Sequence, residues 1–126
     1  MSIPGDLKYT KDHEWVRIDG DTVTVGITDH AQDQLGDVVF VELPDIGSEV
    51  KAGDTFGTVE SVKAVSDLFA PVGGEVVEAN GDLADAPESV NTDPYGAAWM
   101  IKLRVSDADE LASLMDADAY GQLLGG

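Results

Sequence analysis

The run of sixteen residues from position 55 to position 70, "TFGTVESVKAVSDLFA", most constrains the fold of this chain. It contains no proline and no Asn-Gly or Asp-Gly pair that would mark a turn. Strands in globular proteins usually have about 3–10 residues, so one strand of this length does not suit a chain of 126 residues. The run therefore predicts a hairpin whose turn lies at its middle, at Ser61–Ala64. That turn places Lys63, one of only seven Lys and Arg residues, at an exposed tip.

The segments on either side predict further strands. "EWVRIDGDTVTVGIT" alternates apolar and polar residues around Asp19-Gly20, a pattern typical of a tight hairpin. "DVVFVEL" predicts a strand that ends before Pro44, and "WMIKLRV" alternates cleanly between two faces. Between them, "DHAQDQLG" predicts a short helix that begins near Asp29 and ends at Gly36.

After position 105 the apolar period changes to that of a helix. Ser106 with Asp109 forms a capping-box pattern, and Asp116 predicts the start of a second short helix. A weak internal repeat, "GDVV" from Gly36 and "GEVV" from Gly74, suggests two similar β units. We therefore predict one mainly β domain, 1–126: an antiparallel sandwich or flattened barrel over about 7–105, and a helical tail over about 106–124.

The charge balance excludes several kinds of partner. Asp and Glu total 25 against seven Lys and Arg, for a net charge of −18. A polyanion of this density should bind neither nucleic acid nor an anionic membrane. Self-repulsion on this scale is relieved when salt shortens the Debye length to about 3 Å at 1 M. We therefore expect a halophilic host, and a monomer, because like charges oppose self-association.

Compartment and metal content are also constrained. The chain has no cysteine, which excludes disulfides and zinc–thiolate sites. Its two histidines, His13 and His30, have no third ligand at an obvious spacing, so no metal site is predicted. The N-terminal residues lack the apolar core of a secretory signal, and no apolar run has the roughly 20 residues that span a bilayer. We expect a cytoplasmic protein.

Longer motifs carry a resemblance to a known family. "ESVKAVSDLFAPVGGEVVEAN" resembles the lipoyl-attachment segment of the glycine cleavage system H-protein family. "KYTKDHEWV", "GITDHAQDQLGDVVFVELPDIG", "VNTDPYGAAWMIKL" and "DELASLM" resemble the same family, so the likeness extends from about Leu7 to Leu124. It implies a lipoyl-domain-like fold of antiparallel sheets with helical additions, known as a barrel-sandwich hybrid. Asp12 and Gln34 depart from the residues common at their positions in the family.

The resemblance also implies site residues. Lys63 would carry lipoic acid in amide linkage, and the enzyme that attaches it would recognise Glu60, Ser61, Val62 and Ala64. Glu14 and Asp67 would contact the aminomethyl group carried by the lipoyl arm. Surface solvation is the alternative for both carboxylates, since the chain has 25 acidic residues.

By the same resemblance the protein is a carrier and not an enzyme. Its partners would be a pyridoxal-phosphate glycine decarboxylase, a tetrahydrofolate-dependent aminomethyltransferase, the flavoprotein dihydrolipoamide dehydrogenase and a lipoyl-attaching enzyme. Two other functions fit the same residues. One is an H-like protein that donates lipoyl groups to other enzymes, and the other is an unmodified docking module.

Overall fold

The computed structural model describes residues 3–125. The strands are β1 Lys8–Tyr9, β2 Glu14–Asp19, β3 Thr22–Ile27, β4 Val38–Glu42, β5 Glu49–Val50, β6 Thr55–Ser61, β7 Val65–Phe69, β8 Gly74–Ala79 and β9 Ile101–Val105. The helices are α1 Asp29–Leu35, α2 Asp82–Asp85, α3 Ser89–Thr92, a 3₁₀ helix Ala108–Ser113 and α4 Ala117–Leu123. No helix within 3–125 has the length and apolar character needed to cross a bilayer.

The strands form two antiparallel sheets that enclose one core. The larger sheet has the order β1-β2-β3-β9-β8-β5, and the smaller has the order β4-β6-β7. Side chains from both sheets fill the space between them, including Val25, Val59, Leu68 and Leu103, each nearly inaccessible to solvent. Alternation along each strand directs these residues inward, as predicted for a sandwich or flattened barrel.

The predicted hairpins are confirmed. β2 pairs with β3 across the turn at Asp19-Gly20, where Gly20 has φ of 65°. β6 pairs with β7, and the residues between them lie in the predicted turn. The turn-rich stretch 45–54 contains one unpredicted element, the short strand β5, which pairs with β8.

The predicted helix near Asp29 is confirmed: α1 begins at Asp29 and ends before Gly36, and the side-chain oxygen of Thr28 caps it by accepting from Ala31 N–H. The predicted cap of the tail is displaced by one residue. In the tail Asp107, not Ser106, accepts from the N–H two residues later, and the helix that follows is 3₁₀. The predicted cap at Asp116 is confirmed, because its carboxylate accepts from an N–H of α4.

The two copies of the repeated tetrapeptide lie in different sheets, and their glycines differ in role. Gly36 ends α1 with φ of 79°, in the left-handed region that favours glycine. Gly74 is the first residue of β8, and a Cβ there would overlap the carbonyl oxygen of Arg104 on β9. The close approach of β8 and β9 at this point therefore requires a residue without a side chain.

The C-terminal tail packs on the edge of the larger sheet. Tyr120 of α4 stacks on Tyr9 of β1, with ring centroids 4.7 Å apart and planes 7° apart. Both rings are fully buried, together with Trp15 and Leu7, in a second apolar cluster. The tail is thus part of the folded body, adjacent to the start of β2.

Candidate functional site

The β6–β7 tip is closed by the side chain of Ser61. The backbone N–H of Ser61 donates to the carbonyl of Ala64 at 2.8 Å. The hydroxyl oxygen of Ser61 accepts from the backbone N–H groups of Lys63 and Ala64 at 3.3 and 3.1 Å. His13 is the one non-glycine residue within 3–125 with positive φ, so Val62 and Lys63 have ordinary backbone conformations. The tip therefore needs no Asn-Gly pair, because the Ser61 hydroxyl provides the hydrogen bonds that close the turn.

Lys63 lies where this tip meets the end of α1. A Cβ added at Gly36 would be 3.3 Å from the Cε of Lys63, so the lysine side chain passes over the glycine that ends the helix. The N–H of Val62 donates to the carbonyl of Asp37 at 3.0 Å, which fixes the tip to the segment entering β4. Lys63 is exposed, and the two ion pairs found among residues 3–125 do not include it. Its amine is therefore open to a modifying enzyme.

A cleft of about 170 Å³ lies between β7 and α1. Its floor is apolar, formed by Ile27, Val59 and Leu68. The rest of the lining comes from the start of β2, from α1 and from β7: Asp12, His13, Glu14, Ala31, Gln34, Leu35, Ser66 and Asp67. The cleft therefore brings together the predicted pair Glu14 and Asp67 with Asp12 and Gln34, the two positions at which this chain departs from the family pattern.

One wall of the cleft is the free edge of β7. Ala64 and Ala70, which flank this strand, form backbone hydrogen bonds on the β6 side. The even-numbered residues of β7 therefore also direct their backbone groups toward β6. In an antiparallel pair the alternate residues direct their backbone groups the other way. Phe69 does so, because its N–H donates to a carboxylate oxygen of Glu14 at 3.3 Å. The backbone groups of Val65 and Asp67 therefore also point toward the cleft.

Glu14 closes the inner end of the cleft as a buried carboxyl group. The residue is 2% exposed, and Thr10 Oγ1 donates to its other oxygen at 2.7 Å. Neither ion pair within 3–125 involves it. Burial without a countercharge raises the pKa of Glu14 to about 8, with a smaller rise from the nearby charge of Asp12, against the lowering effect of its two hydrogen bonds. With a pKa of about 8, this carboxyl group is mostly protonated at neutral pH.

His13, which immediately precedes Glu14, has a left-handed backbone conformation (φ 68°). His13 Nδ1 lies 2.8 Å from the hydroxyl of Tyr120, which also lies 2.7 Å from Thr28 Oγ1. Desolvation, followed by the charge of His30, lowers the pKa of His13, while Asp12 raises it. The Tyr120 hydroxyl thus joins the start of β2 to the cap of α1, which are two walls of the cleft.

Sequence reasoning did not find Thr10, Thr28 or Tyr120 as part of this site. Thr10 lies four residues before Glu14, and its hydroxyl also accepts from the backbone N–H groups of Asp12 and Glu14. In the sequence, the only sign of this interaction is that Thr10 comes four residues before the acidic residue Glu14. Tyr120 joins the site only through tertiary packing, because 107 positions separate it from His13.

The remaining predicted residues lie outside the cleft floor. Asp67 is exposed at the rim, midway along β7, and Glu60 is exposed on β6. The rings of His13 and His30 are 4.7 Å apart, and no group of three or more potential metal ligands occurs within the described residues.

Known proteins are similar to this chain over nearly its whole length. The family described as "Glycine cleavage H-protein" matches residues 7–125. The "Glycine cleavage system H protein" of Staphylococcus haemolyticus is 56% identical over 125 residues, or 99% of each chain. The protein of the same name from an Anaeromyxobacter species is 60% identical over 120 residues, or 95% of this chain and 94% of that one.

A solved structure agrees with the sequence relatives. The crystal structure of a glycine cleavage system H protein from Mycobacterium marinum superposes with a TM-score of 0.91 at 45% identity, covering 98% of this chain and 100% of that one. The predicted fold is thereby confirmed. With the family match over nearly the full length, this chain belongs to the glycine cleavage H-protein family.

Proposed function

We propose that Lys63 is the attachment point through which this chain, a non-catalytic lipoyl carrier of the glycine cleavage system, holds its lipoate. One observation supports this above the others. The side chain of Lys63 passes over Gly36, which follows the cleft-lining residue Leu35, and the same cleft reaches Glu14, a buried carboxyl group without a countercharge. A cation carried by an arm from Lys63 would supply that countercharge.

The residues around Lys63 fit a covalently attached lipoate. The amine is exposed and forms no ion pair within 3–125, so amide formation breaks no salt bridge when it removes the charge. When bound, lipoate supplies a disulfide that is opened in taking up the aminomethyl group. Val65 and Phe69 are four residues apart on β7, about 13 Å at the rise of a strand, so the arm spans that length to reach Glu14.

Glu14 and Asp67 have different roles in this proposal. Glu14 binds the ammonium of the cargo at the inner end of the cleft and loses its own proton when it does so, since a nearby cation favours the ionised carboxylate. Asp67 attracts the same cation at the exposed rim, where its interaction is weaker because water screens it. The apolar floor of Ile27, Val59 and Leu68 excludes water from the labile linkage.

We extend the proposal to partners and state. The protein works with the other components of glycine cleavage. We assign these as glycine decarboxylase, aminomethyltransferase and dihydrolipoamide dehydrogenase, with a lipoyl-attaching enzyme that recognises Glu60, Ser61, Val62 and Ala64. We also propose a monomer in the cytoplasm of a salt-rich host. The net charge of −18 supports this, because screening by salt relieves the repulsion within the folded chain.

Reconstitution tests the function directly. Glycine-dependent CO₂ exchange by glycine decarboxylase should require the native protein and be lost with Lys63→Arg, while peptide mass analysis should place lipoate on Lys63. Lipoate that leaves this protein for other enzymes, without support of CO₂ exchange, would indicate the donor function instead. An unmodified Lys63 in lipoate-replete host cells would indicate the docking module.

A second assay tests the cleft residues. The loaded arm should be hydrolysed faster in Glu14→Ala than in the native protein, with a smaller effect in Asp67→Ala. Unchanged lifetimes in both variants would exclude the two carboxyl groups from the proposed role.

A further inference from the structure

Four exposed apolar side chains lie on the smaller sheet or at its β6–β7 tip, close in the fold to Lys63. They are Val39, Phe40, Val62 and Val65, with exposed fractions between 45% and 69%, and we call them the tip patch. Seven large apolar side chains are exposed within residues 3–125, so more than half of them are at this one place. On a surface otherwise dominated by acidic groups, such a cluster indicates an interaction site.

The strand register builds the patch on one face. Phe40 of β4 is opposite Glu60 of β6, which is opposite Val65 of β7. Residues directly opposite one another in a sheet share a face, so these three form one outward row. The patch thus continues from strand to strand up to the lysine.

A β-bulge enlarges the patch. The β4–β6 register shifts between Val38 and Phe40, which leaves Val39 as an extra residue. Val39 and Phe40 are consequently both exposed, whereas regular alternation would have directed one of them into the core.

The charge of Glu60 indicates what surface a binding partner would need. Glu60 stands between the two apolar residues and takes part in neither ion pair of the described chain. Lys63, the one cation at the tip, becomes neutral once it is amidated. A complementary partner would therefore present an apolar surface with a cation placed against Glu60.

The chemistry at Lys63 selects among the partners. Attachment requires the lysine nitrogen itself to reach the activated lipoyl carboxyl carbon. The ammonium first gives up one proton to become the nucleophilic amine. A C–N bond then forms, the bond from that carbon to the activating group breaks, the activating group leaves with the bonding electron pair, and the nitrogen gives up a second proton to solvent. Because the unmodified lysine side chain is much shorter than the finished arm, the attaching enzyme has to contact the residues around Lys63. Enzymes that act at the far end of the finished arm need no such contact.

We propose that the tip patch, with Glu60 at its centre, is the docking surface for the enzyme that forms the amide at Lys63. This rests on the proposed attachment at Lys63. It means that the enzyme reads side chains brought together from β4 and β7 as well as the linear segment "ESVKA". Recognition then depends on the folded sheet.

The test uses the unmodified protein, a purified lipoyl-attaching enzyme and activated lipoate. Initial rates are measured against protein concentration for Phe40→Thr and for the double variant Val39→Thr/Val65→Thr. Threonine is chosen because it is polar but retains a high strand propensity. Loss of a central interface anchor should raise KM about tenfold or more with kcat unchanged. Ile46→Thr is the matched control, because Ile46 is 67% exposed, lies outside the patch and should leave KM unchanged.

Several outcomes would overturn the proposal. A KM for Phe40→Thr equal to that of the Ile46→Thr control would do so. So would normal attachment with a defect only in decarboxylase-dependent exchange, which would assign the patch to a user of the arm. A native dimer that the patch variants dissociate would assign it to a second copy of this chain. Urea unfolding identifies a variant that is merely misfolded, in which case Val65→Thr alone provides the test.

Failure of the proposed function gives a different result. If the native protein gains no lipoyl mass, or gains it on another lysine, then Lys63 is not the attachment point. If lipoate is on Lys63 and the patch variants are modified normally, only the docking surface is wrong.

Discussion

The buried carboxyl of Glu14 should make the protein less stable as the pH rises, and Glu14→Gln should remove that effect. An amide is close in shape to the carboxyl group but does not titrate. By rotating its head group, glutamine keeps an acceptor for Phe69 N–H and a hydrogen bond to Thr10. The substitution therefore changes the ionisation of the site with little change in packing.

The magnitude follows from the two pKa values. The pKa of Glu14 is raised from 4.5 to about 8 in the folded protein. Between these values the unfolded chain has released the proton and the native protein has kept it, so the free energy of unfolding falls as the pH rises. From pH 5 to pH 8 linkage gives a loss of about 3.5 kcal/mol that Glu14→Gln lacks.

Urea unfolding of both proteins at pH 5 and pH 8, in molar KCl, measures this quantity. The other carboxyl groups are common to both chains, so their titration cancels in the difference between native and variant. We expect the variant to gain about 3.5 kcal/mol relative to the native protein over this pH range. If the two stabilities change in parallel from pH 5 to pH 8, Glu14 titrates as an exposed carboxyl group and the reasoning is wrong.

Three further predictions concern stability. The free energy of unfolding should rise by more than about 1 kcal/mol from dilute buffer to molar KCl, and a flat response would contradict the salt-rich host. Gly74→Ala should destabilise by about 2 kcal/mol or more, because its Cβ overlaps a carbonyl of β9, whereas the control Gly5→Ala meets nothing within 4 Å and should be nearly neutral. Tyr120→Phe should cost about 1–3 kcal/mol in urea unfolding, since it leaves His13 and Thr28 without their shared partner, and an unchanged midpoint would refute this role.

Local pattern was enough to predict most of the β structure. Alternation located β2, β3 and β9, and the length of the run 55–70 located the turn before Lys63. These features depend on neighbours within a few residues. The position of Glu14 and Asp67 on one cleft came from family resemblance, because nothing in their spacing shows that β2 and β7 meet.

The other site features depend on contacts between distant segments. The bulge at Val39 is invisible in "DVVFVEL", since alternation alone would expose every second residue. The positive φ of His13 follows from a turn that Thr10 holds, and the Tyr120 hydroxyl reaches the site only when α4 packs on β1. A pattern read along the chain carries no information on such contacts.

The lack of turn-forming residues around Lys63 now has a physical explanation. Ser61 closes the hairpin through its hydroxyl, and both tip residues keep ordinary backbone angles, so neither has to be glycine or asparagine. The turn therefore places no constraint on the side chains at 62 and 63, as the proposed recognition and attachment require. Because Val62 also bonds to Asp37, the base of an arm attached at Lys63 would be fixed beside α1. Under the proposed attachment, a fixed base would restrict the cargo to a small volume around the cleft, which would raise its effective concentration at Glu14 without any further contact.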